Sequence, residues 1–279
     1  MKKRFTTVAG NSILVRYSAS THAGAKGMKR RPKENVTPEA VAKVNRKNRE
    51  RELTAKLNHN FVPGDLWLTV TYENTENCGA GLTKERCMKN YTNFKKKLQR
   101  KAKKAGITIK AIDSFGFGER TGRPHHHIVM SDVPTAWLTE AWTFGSVHIE
   151  VLKGFSYHRI AAYMLKHAEQ TADGKVQKAF RCTRNIVTPD TKVEVMKSAE
   201  LPDPEDIKPL NGYYVDRDTV HTYEHPVFET ECMEFIMVSL TAEARLKRWS
   251  KGRKAKEEQQ YSMAWPQQME IDKWMEDYC

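Results

Sequence analysis

The order of strand and helix patterns between residues 59 and 169 constrains the fold of this chain more than any other feature. The stretch "GDLWLTVTYEN" predicts a strand, because it is rich in β-branched and aromatic residues and lies between turn-forming residues. The stretch "TKERCMKNYTNFKKKLQRKAKKAG" predicts a helix, because its apolar residues recur at spacings of three and four. Gly106 is expected to end that helix.

The same alternation continues further along the chain. The stretch "ITIKAIDSFGFGE" predicts a strand, and "HHHIVM" its hairpin partner after the turn "RTGRP". A short helix "TAWLTEAW", a strand "GSVHIEVL" and a helix "SYHRIAAYMLKHAEQ" with Ser156 as its N-cap follow. This order predicts an α+β fold, with a central antiparallel sheet and flanking helices on one side of it.

Three regions of different composition are predicted. Residues 1–58 combine one or two short strands, a basic segment and a basic helix that starts at Thr37 and has only a broken apolar stripe. Residues 59–197 hold the strand and helix order described above. Residues 198–279 begin with an acidic, Pro-rich linker and continue with short strands and a basic helix or tail, so we predict a C-terminal extension.

Charge is distributed unevenly along the 279 residues. The net charge is +13, and residues 1–110 contain 26 Lys and Arg against 8 Asp and Glu, so they carry +18 and the remainder −5. Such an asymmetry favours a polyanionic partner, above all nucleic acid, although a solvated basic surface has the same composition. The five scattered cysteines include no C-x-x-C, which indicates a reducing cytoplasm, and no apolar run is long enough for a membrane span.

Three consecutive histidines stand in "ERTGRPHHHIVMSD". Side chains alternate along a strand, so His125 and His127 should share a face, about 6.5 to 7 Å apart, while His126 points the other way. A hairpin would bring the carboxylate of Glu119 beside that pair. Two nitrogens and one oxygen suit a divalent ion such as Mn²⁺ or Mg²⁺. Surface or stacking histidines are the alternative.

The helix "RIAAYMLKHA" carries a second candidate group. Arg159, Tyr163 and Lys166 are spaced i, i+4 and i+7, so they share one helix face. Tyr163 is either a tyrosine at the edge of the core with Lys166 solvated, or a nucleophile beside a cation. A phenol has a pKa near 10, and a neighbouring cation would favour its ionised form.

Taken together, these motifs resemble those of the HUH endonucleases, which include the initiators of rolling-circle replication in small phages and plasmids. The stretch "LWLTVTY" resembles the family's first motif, "RPHHH" its histidine–hydrophobe–histidine motif, and "YMLK" its Tyr-x-x-Lys motif. Histidine replaces the apolar middle residue at His126. One tyrosine in the third motif favours the single-tyrosine subclass.

The resemblance implies a palm with a ferredoxin- or RRM-like sheet and a metal-dependent DNA nickase and strand transferase. Tyr163 would form a 5′-phosphotyrosine, Lys166 would stabilise charge, and His125, His127 and Glu119 would hold the metal. The expected partners are single-stranded or hairpin origin DNA, with its backbone along the two basic helices, and a host helicase and polymerase, since the sequence has no Walker motif. A relaxase, a single-tyrosine transposase and a non-enzymatic nucleic-acid-binding protein are the alternatives.

Overall fold

The computed structural model describes residues 2–19, 38–73, 82–118, 122–169, 179–196, 200–225 and 230–241. The predicted α+β architecture is confirmed in this part of the chain. Its elements, in chain order, are β1 Lys2–Ala9, β2 Ser12–Ala19, α1 Pro38–Asn60, β3 Leu66–Thr71, α2 Lys84–Lys104, β4 Ala111–Phe117, β5 Pro124–Met130, α3 Thr135–Ala141, β6 Val147–Val151, α4 His158–Glu169, β7 Arg181–Cys182, β8 Thr191–Val195, β9 Tyr213–Glu224 and β10 Glu231–Ser239.

The first sheet has the strand order β6-β3-β5-β4-β7, and every neighbouring pair in it is antiparallel. The predicted β4–β5 hairpin is present, with Gly116 opposite His125. Strand β5 occupies the middle of the sheet, and all seven of its residues are buried. We call this sheet the central sheet.

Helices cover both faces of the central sheet, so the expectation of helices on one side is wrong. Helices α2 and α3 pack on the face that includes Ile128, whereas α1 and α4 pack on the face that includes Val129. The reason lies in the sequence of β5. Because neighbouring residues of a strand point to opposite faces, an apolar pair in the middle of the sheet requires cover on both sides.

A second sheet joins the two ends of the described chain, with the strand order β8-β1-β2-β10-β9. Val238 of β10 pairs with Ser12 of β2, and all pairings are antiparallel. Strands near residues 5–17 and 212–240 were expected, whereas β7 and β8 were not. Thr37 and the basic tail lie outside the described residues, and the three-region division of the chain stays a prediction. None of the helices described is long and apolar enough to cross a membrane.

The C-terminal end of α1 connects the second sheet to α4. The buried Asn58 amide donates to Ser12 Oγ at 2.8 Å and accepts from the backbone N–H of Tyr157 at 2.9 Å. Gly10, in the β1–β2 turn, has a φ of +60°, and a Cβ there would lie 2.5 Å from the carbonyl oxygen of Asn58. Only glycine fits such a close approach in that conformation.

We predict that Asn58→Ala lowers the free energy of unfolding by about 2 to 4 kcal/mol, because it removes the hydrogen bonds that Asn58 makes to two buried polar groups. Chemical denaturation measures the change. Asn45→Ala, at an exposed position of the same helix, is the matched control and should change stability by less than about 1 kcal/mol. Equal effects of the two substitutions would contradict this role of Asn58.

Candidate active site

The histidine triplet lies in the middle of the central sheet, between β3 and β4. His125 pairs across the sheet with Thr71 and Gly116, and His127 pairs with Thr69 and Ser114. The ring centroids of His125 and His127 are 4.7 Å apart, and the two residues are 7% and 1% exposed. The alternation expected from the sequence therefore brings these two imidazoles together on the face that α1 and α4 cover.

His126 points to the opposite face and belongs to the core there. Its ring stacks on Tyr91 at a centroid distance of 4.5 Å and an interplanar angle of 17°, and it also contacts Phe115 at 4.9 Å. Burial, reinforced by the charge of Arg181, holds the pKa of His126 well below its usual value. The middle histidine is therefore a neutral aromatic core residue.

The hydrogen bond of His125 fixes how its ring presents its lone pair. His125 Nδ1 lies 3.1 Å from the carbonyl oxygen of Arg123. A carbonyl only accepts, so Nδ1 carries the proton and the lone pair of the neutral ring is on Nε2. Burial lowers the pKa of His125, although the bond to Arg123 opposes the shift. A neutral imidazole with its second nitrogen bonded to a carbonyl is the usual form of a metal-ligating histidine.

Tyr163 joins the histidine pair from α4. Its ring centroid lies 4.9 Å from that of His127, at an interplanar angle of 70°. Trp67 of β3 stacks on His127 at 5.4 Å and 8° and meets Tyr163 edge-on at 6.2 Å. Two motifs 36 residues apart in the chain thus converge on one aromatic cluster, which consists of Trp67, His125, His127 and Tyr163.

The helix face expected to carry Arg159, Tyr163 and Lys166 forms as a continuous helix, but the three side chains have different neighbours. Arg159 pairs with Asp218 of β9 at 3.0 Å and is thereby held toward the second sheet. Lys166 is half-buried and lies one turn beyond Tyr163. Among the described residues, no ion pair of Lys166 is present.

Glu119, the expected third metal ligand, lies outside the described residues. The described part of the β4–β5 hairpin ends where Gly118 donates its N–H to the carbonyl of Arg123 at 2.9 Å. Within the described ranges, no group of three or more His, Cys, Asp or Glu side chains is arranged to hold a metal ion. The described donor set is the histidine pair, and a complete site requires a ligand from outside these residues.

Sequence reasoning overlooked two residues of this site, Trp67 and Thr69. The Thr69 hydroxyl lies 3.1 Å from His127 Nδ1, and Trp67 covers the ring of the same histidine. Alternation along "LWLTVT" places both on one face of β3, with Leu66 and Leu68 on the other. The register between β3 and β5, which the local sequence does not specify, is what brings them beside His127.

We predict that His126→Ala lowers the free energy of unfolding by about 3 kcal/mol, as large-to-small changes of buried aromatic residues do. His126→Phe, which keeps a ring against Tyr91, should recover most of the loss. His148→Ala is the control, because the His148 side chain is 67% exposed. Denaturant titration of the three variants checks the order, and an unchanged stability of His126→Ala would refute the packing role.

Residues 65–172 match the family model of the replication-associated protein ORF2. The matched span runs from β3 to beyond α4, includes the aromatic cluster and covers less than half of the chain. No curated protein and no solved structure matches the chain significantly. The family match supports a replication-associated protein of the replication-initiator type that has DNA as its partner.

Proposed function

We propose that this protein initiates DNA replication by nicking single-stranded origin DNA through a covalent bond to Tyr163. The observation that carries the proposal is the 4.9 Å contact between the rings of His127 and Tyr163. It brings a phenol to a pair of neutral imidazoles, within a span that matches a replication-associated family. A nucleophile beside potential metal ligands suits phosphoryl transfer.

His125 and His127 would hold a divalent ion in this proposal, with Glu119 as the third ligand. The lone pair of His125 on Nε2, the proximity of the two rings and their neutral state fit such a role. Nitrogen and carboxylate ligands together accept Mn²⁺ or Mg²⁺. When bound, the ion would supply Lewis-acid polarisation of the scissile phosphate.

The nicking step makes one bond and breaks one bond. The Tyr163 hydroxyl gives up its proton, and its oxygen attacks the phosphorus in line with the 3′-oxygen of the preceding nucleotide. The P–O3′ bond breaks, the 3′-oxygen takes up a proton, and the 5′-phosphate remains on Tyr163. Lys166, one turn along α4, would stabilise negative charge on the phenolate or the phosphate. The reverse attack by a 3′-hydroxyl rejoins DNA without ATP.

The free 3′-hydroxyl gives this chemistry its role in replication, because a host polymerase can extend it. Unwinding would come from a host helicase, and the origin would present its nick site as a single strand or a hairpin. The same chemistry would serve a relaxase or a single-tyrosine transposase. The replication-associated family match favours replication over these two.

Tyr157 is the nearest tyrosine in sequence that could compete as nucleophile. It is 2% exposed, and its hydroxyl donates to the carbonyl of Gly154 at 2.9 Å. Burial also raises the pKa of Tyr157 well above that of a free phenol. Tyr163, half-buried against the histidine pair, is the better candidate.

We predict that Tyr163→Phe abolishes a protein–DNA adduct that the unmodified chain forms with a single-stranded origin oligonucleotide in Mn²⁺. The oligonucleotide carries its label at the 3′ end, because the fragment downstream of the nick stays on the protein. Denaturing electrophoresis detects the labelled protein. Tyr157→Phe is the matched control and should retain the adduct wherever it folds. An adduct in Tyr163→Phe would exclude this residue as nucleophile, and binding without any adduct would favour a non-enzymatic protein.

We also predict that adduct formation requires the divalent ion and the histidine pair. A chelator should abolish the adduct, and added Mn²⁺ or Mg²⁺ should restore it in the unmodified chain but not in His125→Ala or His127→Ala. His126→Phe should respond to metal as the unmodified chain does, because its ring faces the core. Full adduct formation in the chelator would contradict a metal-dependent reaction.

A further inference from the structure

A groove lies between α1 and the second sheet, on residues that the proposed chemistry does not use. It consists of two adjoining cavities of about 380 and 540 Å³, and both are lined by Arg16, Lys47, Asn48 and Arg51. Volumes of this size are typical of ligand sites. The groove therefore has room for a phosphate group and its neighbours.

Arg16 of β2 is the residue in the groove that points to a ligand. Its guanidinium stacks over the ring of Phe5 at 4.0 Å and is half-buried. Within the described part of the chain, this guanidinium makes no hydrogen bond and no ion pair. Burial and the nearby charge of Arg51 lower its pKa. A desolvated cation of this kind gains energy when an anion arrives.

Arg51 does not compensate for this lack of partners, because its own groups are used within the protein. Its Nε donates to Glu234 at 2.6 Å, and its Nη2 donates to the Tyr223 hydroxyl at 2.6 Å. Glu234 is thereby committed to Arg51 at the short distance. The positive charge of Arg16 is left over, and five guanidinium donors remain to be satisfied.

The rim of the groove adds further positive charge. Lys43 and Lys47 of α1 and His225 beyond β9 line the larger cavity with Arg16. The only carboxylate in the lining of that cavity, among the described residues, is the exposed Glu224. Two lysines at the mouth and a guanidinium at the wall suit the backbone of a nucleic acid.

We propose that this groove binds a backbone phosphodiester of DNA, with Arg16 donating to the phosphate and Lys43 and Lys47 neutralising its neighbours. The identity of the ligand as DNA rests on the proposed function, and the anion site itself rests on the groove. His158, the first residue of α4, lines the smaller cavity. Tyr163 follows five residues later, about 7.5 Å along the helix axis. DNA held in the groove would thus lie against the helix that carries the nucleophile.

The test measures DNA affinity by fluorescence anisotropy, with a labelled hairpin oligonucleotide that has single-stranded arms. Tyr163→Phe is the background for every variant, so no covalent step contributes. We expect Arg16→Gln to weaken binding about tenfold at moderate salt. The slope of log affinity against log salt should fall by about 0.7 to 0.9, the change expected for one lost phosphate contact.

Arg4→Gln is the matched control, because it removes the same charge from the opposite face of the same sheet. Arg4 pairs across the sheet with Tyr17, whereas Phe5 pairs with Arg16, and the exposed Arg4 side chain binds Glu194 at 2.7 Å. We expect Arg4→Gln to retain the affinity of the background. Equal losses in the two variants would overturn the groove as a DNA site.

Two further measurements separate a binding role from other roles. Arg16→Gln should unfold at the same or a higher denaturant concentration than the background, because a buried cation without a partner does not stabilise the fold; a clear loss of stability would overturn the assignment. Thymidine monophosphate should compete only weakly with the oligonucleotide, and equal competition would indicate a free-nucleotide site instead. Failure of the adduct assay would leave these binding results intact and would contradict the nicking proposal alone.

Discussion

The burial of β5 between β3 and β4 is the constraint on which the rest of this structure depends. A central strand has neighbours on both edges and helices on both faces, so each of its side chains has one fixed environment. Three identical residues in a row thereby acquire two different roles. His125 and His127 meet Tyr163 on one face, and His126 packs against Tyr91 on the other.

The face behind the histidine pair explains how a polar triplet is tolerated in the core. Asp113, in the neighbouring strand, is 2% exposed and accepts a hydrogen bond from Arg181 Nε at 2.7 Å. The Arg181 guanidinium also lies over the ring of Tyr91, which in turn stacks on His126. His126 can therefore replace an apolar residue without carrying charge. The aromatic stack gives β5 a rigid support from which the pair on the opposite face is positioned.

Local sequence patterns predicted the elements that lie within the central sheet, but not all of their arrangement. Strands β3 to β6 and helix α2 follow from periodicity and turn residues, which act over a few positions. The pairing of Ser12 with Val238 depends on contacts between distant parts of the chain, and no local pattern encodes it. The two-residue strand β7 is too short for any periodicity. Trp67 escaped notice as a site residue because its role depends on register.

Helix α1 shows why its sequence looked only weakly amphipathic. Leu53 and Leu57 belong to the apolar cluster beneath the central sheet, whereas Arg51 faces the second sheet through Glu234. A helix with a sheet on each side needs apolar residues toward one and polar partners toward the other, so its apolar stripe is narrow. The polar contact cannot close as tightly as an apolar one, because charged side chains retain space and solvent around them. The groove beside Arg16 is the consequence of that difference, and it gives the N-terminal excess of positive charge a defined place in the fold.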